Sequence, residues 1–361
     1  MQNKVKNMII TFGFSIILIS VFLINTISKD QTISTSERRK LAQFPEITIN
    51  KILNGDVTED WEKYVEDQFI KRDFFRTIKS LWSANIFRQK DNNNLFEKDG
   101  AIYKMEYPLK ENNVLKSAQK IKEVYDKYLK NMNVYYSIIP DKNYYLENDD
   151  HLKIDYNKVN QIVEEELKGL KYIDITQGLE LDDYYKTDLH WKQENLQEVV
   201  NIIEKNMGLD TSNKTNYEVQ NKGDFYGTYY GQLGIEVPPD ELHILTNETI
   251  ENCSTYNFET KKNAPIYIET NSTDRYDIFV SGATPLITIE NPNSKNDKEL
   301  LLFRDSFGSS LAPLLVENYS KITLVDIRYI SSRLLGEFIE FEDQDVLFLY
   351  STVVLNQNIL K

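Results

Sequence analysis

The second half of the chain alternates short, unbroken apolar runs with helix-patterned segments. The runs "ELLLF" at 299–303, "KITLVD" at 321–326 and "DVLFLYS" at 345–351 are separated by segments whose spacing predicts helices over about 309–319 and 331–341. A strand that is apolar on both faces must be covered on both faces, and helical connections between such strands make them parallel. The same alternation begins earlier. Val114, Ala118, Ile121, Val124, Tyr125 and Leu129 trace a helical stripe, "NVYYSIIP" at 133–140 is a strand closed by Pro140, and "KYIDI" at 171–175 is another. Helices are expected over about 157–168 and 192–207, and further strands at "APIYIET", "YDIFVSG" and "PLITIE". The expected fold is therefore α/β: a doubly wound, flavodoxin-like, mostly parallel sheet with helices on both faces.

One segment does not belong to that sheet. Met8 to Ile27 carries no charge, and at about 1.5 Å per residue its length matches the roughly 30 Å hydrocarbon core of a bilayer. A secretory signal is the rival reading, because Lys4 and Lys6 form a short basic start. The apolar run exceeds an ordinary signal core, however, and no small-x-small cleavage site follows it. Basic residues flank both ends, so charge alone leaves the orientation open. The expected layout is a cytoplasmic start at 1–7, a transmembrane anchor at 8–27, a stalk at 28–56 and a catalytic body at 57–361. That body includes a Gly- and Tyr-rich insertion around 208–262. From Thr58 onward, Trp61, Tyr64, Val65, Phe69, Phe74, Phe75, Ile78 and Trp82 recur at helical spacing, and Asp99-Gly100 marks a hairpin.

Composition narrows the chemistry. With 42 Lys+Arg against 56 Asp+Glu the net charge is −14, the wrong sign for gripping a nucleic-acid backbone. A single cysteine and three histidines leave few ligands for a metal centre and none for an internal disulfide, so neither metal nor cofactor is expected.

What remains is nucleophilic chemistry. "ELLLF" runs directly into "RDSFGSS", which sets Ser306 at the carboxyl end of a strand and the amino end of a helix, where ligands sit in open α/β sheets. Backbone N–H groups there can hold an oxyanion. A helix cap explains a serine in this position just as simply. The segment "YYKTDLHW" supplies Asp188 and His190, whose side chains can share a site only if the stretch is extended or a turn. An imidazole to take the serine proton and a carboxylate to orient the imidazole complete the set. His151 and His243 read as surface or packing residues.

These residues lie in patches that resemble the DHHW family, named for an Asp-His-His-Trp motif, and more distantly the SGNH-hydrolase-like alginate O-acetyltransferases of bacterial envelopes. The patches are "SERRKLAQFPEIT", "WEKYVEDQFIKRDFF", "SIIPDKNYYL", "YYKTDLHW", "FYGTYYGQLG", "LLLFRDSFGSSLAPLLVENYSKITLVDIRYI" and "DVLFLYS". The resemblance implies Ser306 as nucleophile, His190 as base and Asp188 as its orienting acid. It also implies an extracytoplasmic body, a polysaccharide acceptor and a membrane-bound O-acyltransferase as acyl supplier. Leu189 replaces the first histidine of the motif, and Arg304 stands where SGNH enzymes have Gly. The N–H groups of Ser306 and Gly282 are the expected oxyanion donors, and Trp191, Arg304 and Tyr226 the expected substrate contacts. An esterase using water as acceptor, or a glycan-binding scaffold with Tyr226, Tyr229 and Tyr230 stacked on sugars, fits the same residues.

Overall fold

A computed structural model describes residues 2–34, 39–85, 94–147, 151–211, 215–234, 237–269, 272 and 274–361. The chain divides into two compact units, one of residues 1–92 with 230–236 and one of residues 93–229 with 237–361.

The first unit opens with α1 (Gln2–Ile27), whose apolar stretch is long enough to cross a membrane. Three amphipathic helices follow: α2 (Ile49–Asn54), α3 (Asp56–Asp67) and α4 (Arg72–Asn85). The Thr48 hydroxyl accepts from the Lys51 N–H to start α2, and Gly55 ends it at φ 83°, a left-handed position that glycine takes without a Cβ penalty. The expected stalk thus contains a helix.

The second unit is built on eight strands: β1 (Val134–Ile139), β2 (Lys171–Tyr172), β3 (Ser254–Asn257), β4 (Lys262–Pro265), β5 (Leu286–Glu290), β6 (Glu299–Arg304), β7 (Lys321–Val325) and β8 (Asp345–Ser351). Their spatial order is β4-β3-β5-β7-β6-β8-β1-β2. The five from β7 to β2 are parallel, and β5, β3 and β4 continue the sheet antiparallel. Alternation along β6 shows why the runs are unbroken. Leu300 and Leu302 pack with Val199, Val200 and Ile203 of helix α7 (Gln197–Met207) on one face. Leu301 and Phe303 pack on the other, with Val114, Ala118 and Ile121 of α5 (Glu111–Val124) and Val159 and Val163 of α6 (Tyr156–Glu166). The expected two-faced α/β sheet is present. The Asp99-Gly100 hairpin is also present, with both residues at positive φ between Leu95–Lys98 and Ala101–Lys104.

Three expected elements differ. "YDIFVSG" is not a strand: Asp274 caps a 3-10 turn over Arg275–Ile278, and Val280, Ser281 and Gly282 all have positive φ. Its aromatic spacing reflects Tyr276 and Phe279 turning into the core. The helix after β6 is α-helical only over Phe307–Leu311 and continues as a 3-10 turn over Ala312–Asn318, because Pro313 has no N–H to continue the ladder. The helix expected at 331–341 is a single 3-10 stretch, Ser332–Glu337, with the poor helix former Gly336 inside it. The 208–262 insertion contains an antiparallel pair of Glu218–Phe225 with Asp240–Thr246 and the strand β3, second from the edge of the sheet.

Candidate active site

Because β6, β8 and β1 are parallel, their carboxyl ends meet on one edge of the sheet, where chain reversals leave a crevice for ligands. The segments leaving them, Asp305-Ser306, Ser351-Thr352 and Asp141-Lys142, frame the site.

Ser306 stands at the start of the Phe307–Leu311 helix, yet its side chain makes no cap bond. The capping role falls to Asp305, whose Oδ1 accepts from the Phe307 N–H at 3.0 Å while its Oδ2 accepts from the Ser351 N–H at 2.8 Å. One carboxylate thereby fixes the serine turn to the end of β8. The Ser306 hydroxyl is left to face His190, with Oγ 2.8 Å from Nε2.

The loop carrying His190 is a tight turn. Tyr184 and Trp191 form a bridge at its base, and the Tyr185 N–H donates to the His190 carbonyl at 3.0 Å. The turn brings Asp188 and His190 to one side, as the two-residue spacing required. Asp188 Oδ1 lies 2.5 Å from His190 Nδ1 and accepts the His190 backbone N–H at 3.0 Å, and its Oδ2 accepts from the Thr228 N–H at 2.6 Å. A carboxylate on Nδ1 assigns the ring proton there and leaves the Nε2 lone pair for the serine hydroxyl. Asp188 is fully buried and His190 is 5% exposed, whereas Ser306 is half-buried. Of the three residues, Ser306 is therefore the most exposed.

Opposite charges hold this turn. Lys142 Nζ donates to the carbonyls of Tyr185, Lys186 and Asp188 at 2.9, 3.1 and 3.0 Å. Asp240 accepts from the N–H groups of Lys186 and Thr187 at 2.8 Å and from the Thr187 hydroxyl at 2.6 Å. A cation takes the carbonyls and an anion the amides. Burial pushes the Lys142 ammonium down to about 7, against the pull of Asp188, Asp240 and Asp141. Gly227 closes the turn from outside, and a Cβ there would overlap Asp188 Cβ and the Thr187 carbonyl.

Several expected contacts are corrected. Trp191 is 0% exposed, its indole N–H donating to the Phe307 carbonyl at 3.1 Å and the Ser310 hydroxyl at 2.9 Å, so it braces the serine helix from beneath. Arg304 is also 0% exposed and pairs with Asp326 at 3.6 Å, under the helix, where a Cβ on Gly308 would come within 2.6 Å of the Arg304 Cβ. Neither presents a face to substrate. The Gly282 N–H donates to the Phe279 carbonyl at 3.1 Å, which removes it as an oxyanion donor; the Ser306 N–H remains the candidate. Tyr226 is 37% exposed beside Gly227. Leu189 turns away from the site to pack on the apolar cluster. His243 bonds to Glu194 and His151 stacks on Phe96. Tyr276 was not anticipated: its ring stacks on His190 at 3.9 Å and 10°, and its hydroxyl donates to Ser310 at 2.8 Å.

The profile of the DHHW protein family matches residues 148–325, the segment that contains the Asp188–Trp191 turn and Ser306. Across that segment the chain is similar to the DHHW family. Solved structures share the fold. A DHHW family protein from Eubacterium siraeum DSM 15702 is 19% identical with a TM-score of 0.62, covering 74% of this chain and 95% of its own. Bacillus cereus PatB1, solved with a sulfonyl adduct, is 18% identical with a TM-score of 0.56 over 72% of this chain and 97% of PatB1. A second PatB1 structure gives 19% and 0.54 over 75% and 98%. No curated protein sequence matches the chain significantly. The family motif reads Asp188-Leu189-His190-Trp191 here, and the geometry gives the three matching letters separate work: Asp orients, His faces the serine, Trp supports the serine helix.

Proposed function

We propose that this DHHW protein is a membrane-anchored, extracytoplasmic O-acyltransferase that moves an acyl group, most simply acetyl, onto a hydroxyl of an envelope polysaccharide. The observation that carries the reading is the unbroken chain from Asp188 through His190 to Ser306, with the serine hydroxyl released from capping by Asp305.

The chemistry follows from that chain. His190 Nε2 accepts the hydroxyl proton as Ser306 Oγ attacks the acyl carbonyl, and Asp188 stabilises the imidazolium. The carbonyl oxygen gains its charge beside the Ser306 N–H. On collapse, the leaving group takes the proton from His190 and the acyl group stays on Ser306. A sugar hydroxyl then gives its proton to Nε2 and attacks the ester, which restores the free serine. Acyl groups activated in the cytoplasm need a carrier across the membrane, so a membrane-bound O-acyltransferase is the fitting supplier, and α1 keeps the body beside it.

Two measurements test the proposal in the full chain. An aryl sulfonyl fluoride, chosen because PatB1 accepts a sulfonyl adduct, is expected to add one sulfonyl group to the wild type and none to Ser306→Ala by intact mass. Aryl acetate turnover with a glycan acceptor is expected to rise together with acetylated glycan. Free acetate alone identifies an esterase, and full turnover by Ser306→Ala refutes the serine mechanism.

A further inference from the structure

Outside the catalytic unit, the first unit exposes large apolar side chains in a membrane-typical mixture. Phe44, Trp61, Phe74, Phe75 and Trp82 are 58, 45, 59, 51 and 56% exposed, and Lys71 and Lys79 lie exposed along the same helix pair. Amphipathic helices this short and this apolar on one side need a partner for that side.

The hydrogen bonds of the unit state where that side lies relative to α1. The Ile70 N–H donates to Asn25 Oδ1 at 2.8 Å, and Asn25 is two residues before the end of α1. The Tyr64 hydroxyl donates to the Asp30 carboxylate at 3.1 Å, and the Gln31 N–H donates to Gln68 Oε1 at 2.9 Å. The junction of α3 and α4 is thus tied to the exit end of the apolar helix. Two aromatic groups radiate from these ties. Tyr64 carries Trp61 and Phe44, with centroids 5.8 and 5.4 Å away, and Phe69, next to Ile70, carries Phe75 at 5.6 Å, with Phe74 a further 5.6 Å on. Whatever bonds to Asn25 sits at the bilayer surface once α1 spans the bilayer, because the apolar run ends within about one helical turn of it. Indoles and phenyl rings are the side chains that partition into that layer.

We infer that α3 and α4 lie in the lipid headgroup layer at the exit of α1, their aromatic side chains inserted, so that the anchor is a spanning helix with an interfacial collar. The inference rests on the anchor reading under the proposed function, and it adds a lipid surface as the partner of the unpaired helix faces. A collar of this kind fixes how the unit stands at the membrane, which a single flexible tether does not.

Tryptophan fluorescence tests it without tags. The chain holds three tryptophans, Trp61, Trp82 and the core Trp191, and none in α1. The full chain is reconstituted into phosphatidylcholine–phosphatidylglycerol vesicles with and without 6,7-dibromo acyl chains, and its retention is read by alkaline carbonate extraction. With two of the three indoles in the headgroup layer, brominated lipid is expected to remove roughly half of the wild-type emission. Trp61→Phe with Trp82→Phe should abolish that quenching while Trp191 emission persists. Protein retained after carbonate but with equal emission in both vesicles overturns the collar and leaves the anchor standing, the faces then being covered by protein. Protein released by carbonate overturns the anchor, and if it is also unquenched, the collar with it.

Discussion

Lys142→Met separates holding the Asp188–His190 turn from holding the fold. Burial lowers the ammonium from its ordinary 10.5 to about 7, which at about 1.4 kcal/mol per unit sets roughly 5 kcal/mol against keeping it charged at neutral pH. The three bonds to the turn are already contained in that net preference, and their loss leaves the Tyr185 and Asp188 carbonyls each short of a buried donor at about 1–3 kcal/mol. Methionine, of similar length, has no charge to desolvate, so the substitution should cost only about 0–4 kcal/mol of stability. The turn pays differently. Lys186 keeps the Ile102 N–H at 2.8 Å on its carbonyl, but the Tyr185 and Asp188 carbonyls each lose a donor and the Asp188 carboxylate loses a nearby cation. A shift of about 1 Å between His190 and Ser306 is worth about a hundredfold in rate. The expected result is a fall of that order in aryl acetate turnover per folded molecule, with the urea midpoint changed modestly. A variant that is strongly destabilised yet turns over normally when folded would refute the reasoning. The proton gives a second readout. The folded state holds it less tightly than the unfolded chain, so this group's contribution to stability is complete above 10.5, declines as pH falls towards 7, and is flat below. Between pH 7 and about 9.5, wild-type stability relative to Lys142→Met should rise with a slope of up to about 1.4 kcal/mol per pH unit.

Asp305→Asn keeps one acceptor for two buried N–H groups and turns an amide donor towards the other, so a loss of about 1–3 kcal/mol is expected in urea unfolding together with slower turnover; an unchanged midpoint counts against the stapling role. Gly227→Ala places a methyl against the backbone of the turn, and a drop of about a hundredfold in turnover is expected alongside about 1–3 kcal/mol of overpacking, whereas wild-type kinetics would show that the turn yields freely. Burial pushes Glu204 up to about 7 while Asn318 donates to it at 2.7 Å. Its contribution is complete below about 4.5 and lost as pH rises through 7. Glu204→Gln keeps the acceptor without the charge and should be more stable than wild type by about 1–3 kcal/mol at pH 8 and equal at pH 4, and equal stability at both values would contradict the assigned cost.

How much of this was legible in the sequence depends on the range of the force that decides each residue. The two-faced sheet was legible because unbroken runs such as "ELLLF" have no other stable use, and the Asp188–His190 pair was legible because a two-residue spacing in a turn leaves little choice of side. Direction at neighbouring positions was not. Alternation that brings His190 to the site sends Trp191 to the opposite face, where its indole is worth more under the serine helix than against a ligand. Arg304 closes a central parallel strand whose last five residues are all buried, so proximity to Ser306 gave it no access to substrate. Gly282 has the positive φ that favours glycine, but a backbone N–H is spoken for by whichever carbonyl the loop folds onto it, and the apolar pattern of the loop before β5 reads as a strand. Lys142, Asp240 and Gly227 lie far from His190 along the chain and gain meaning only when β1 and the insertion pack around the turn. The candidate triad is thus legible from its chemistry, and the residues that hold it only from their neighbours in space, so the clamp of Lys142 and Asp240 is where substitution will most sharply divide fold from function.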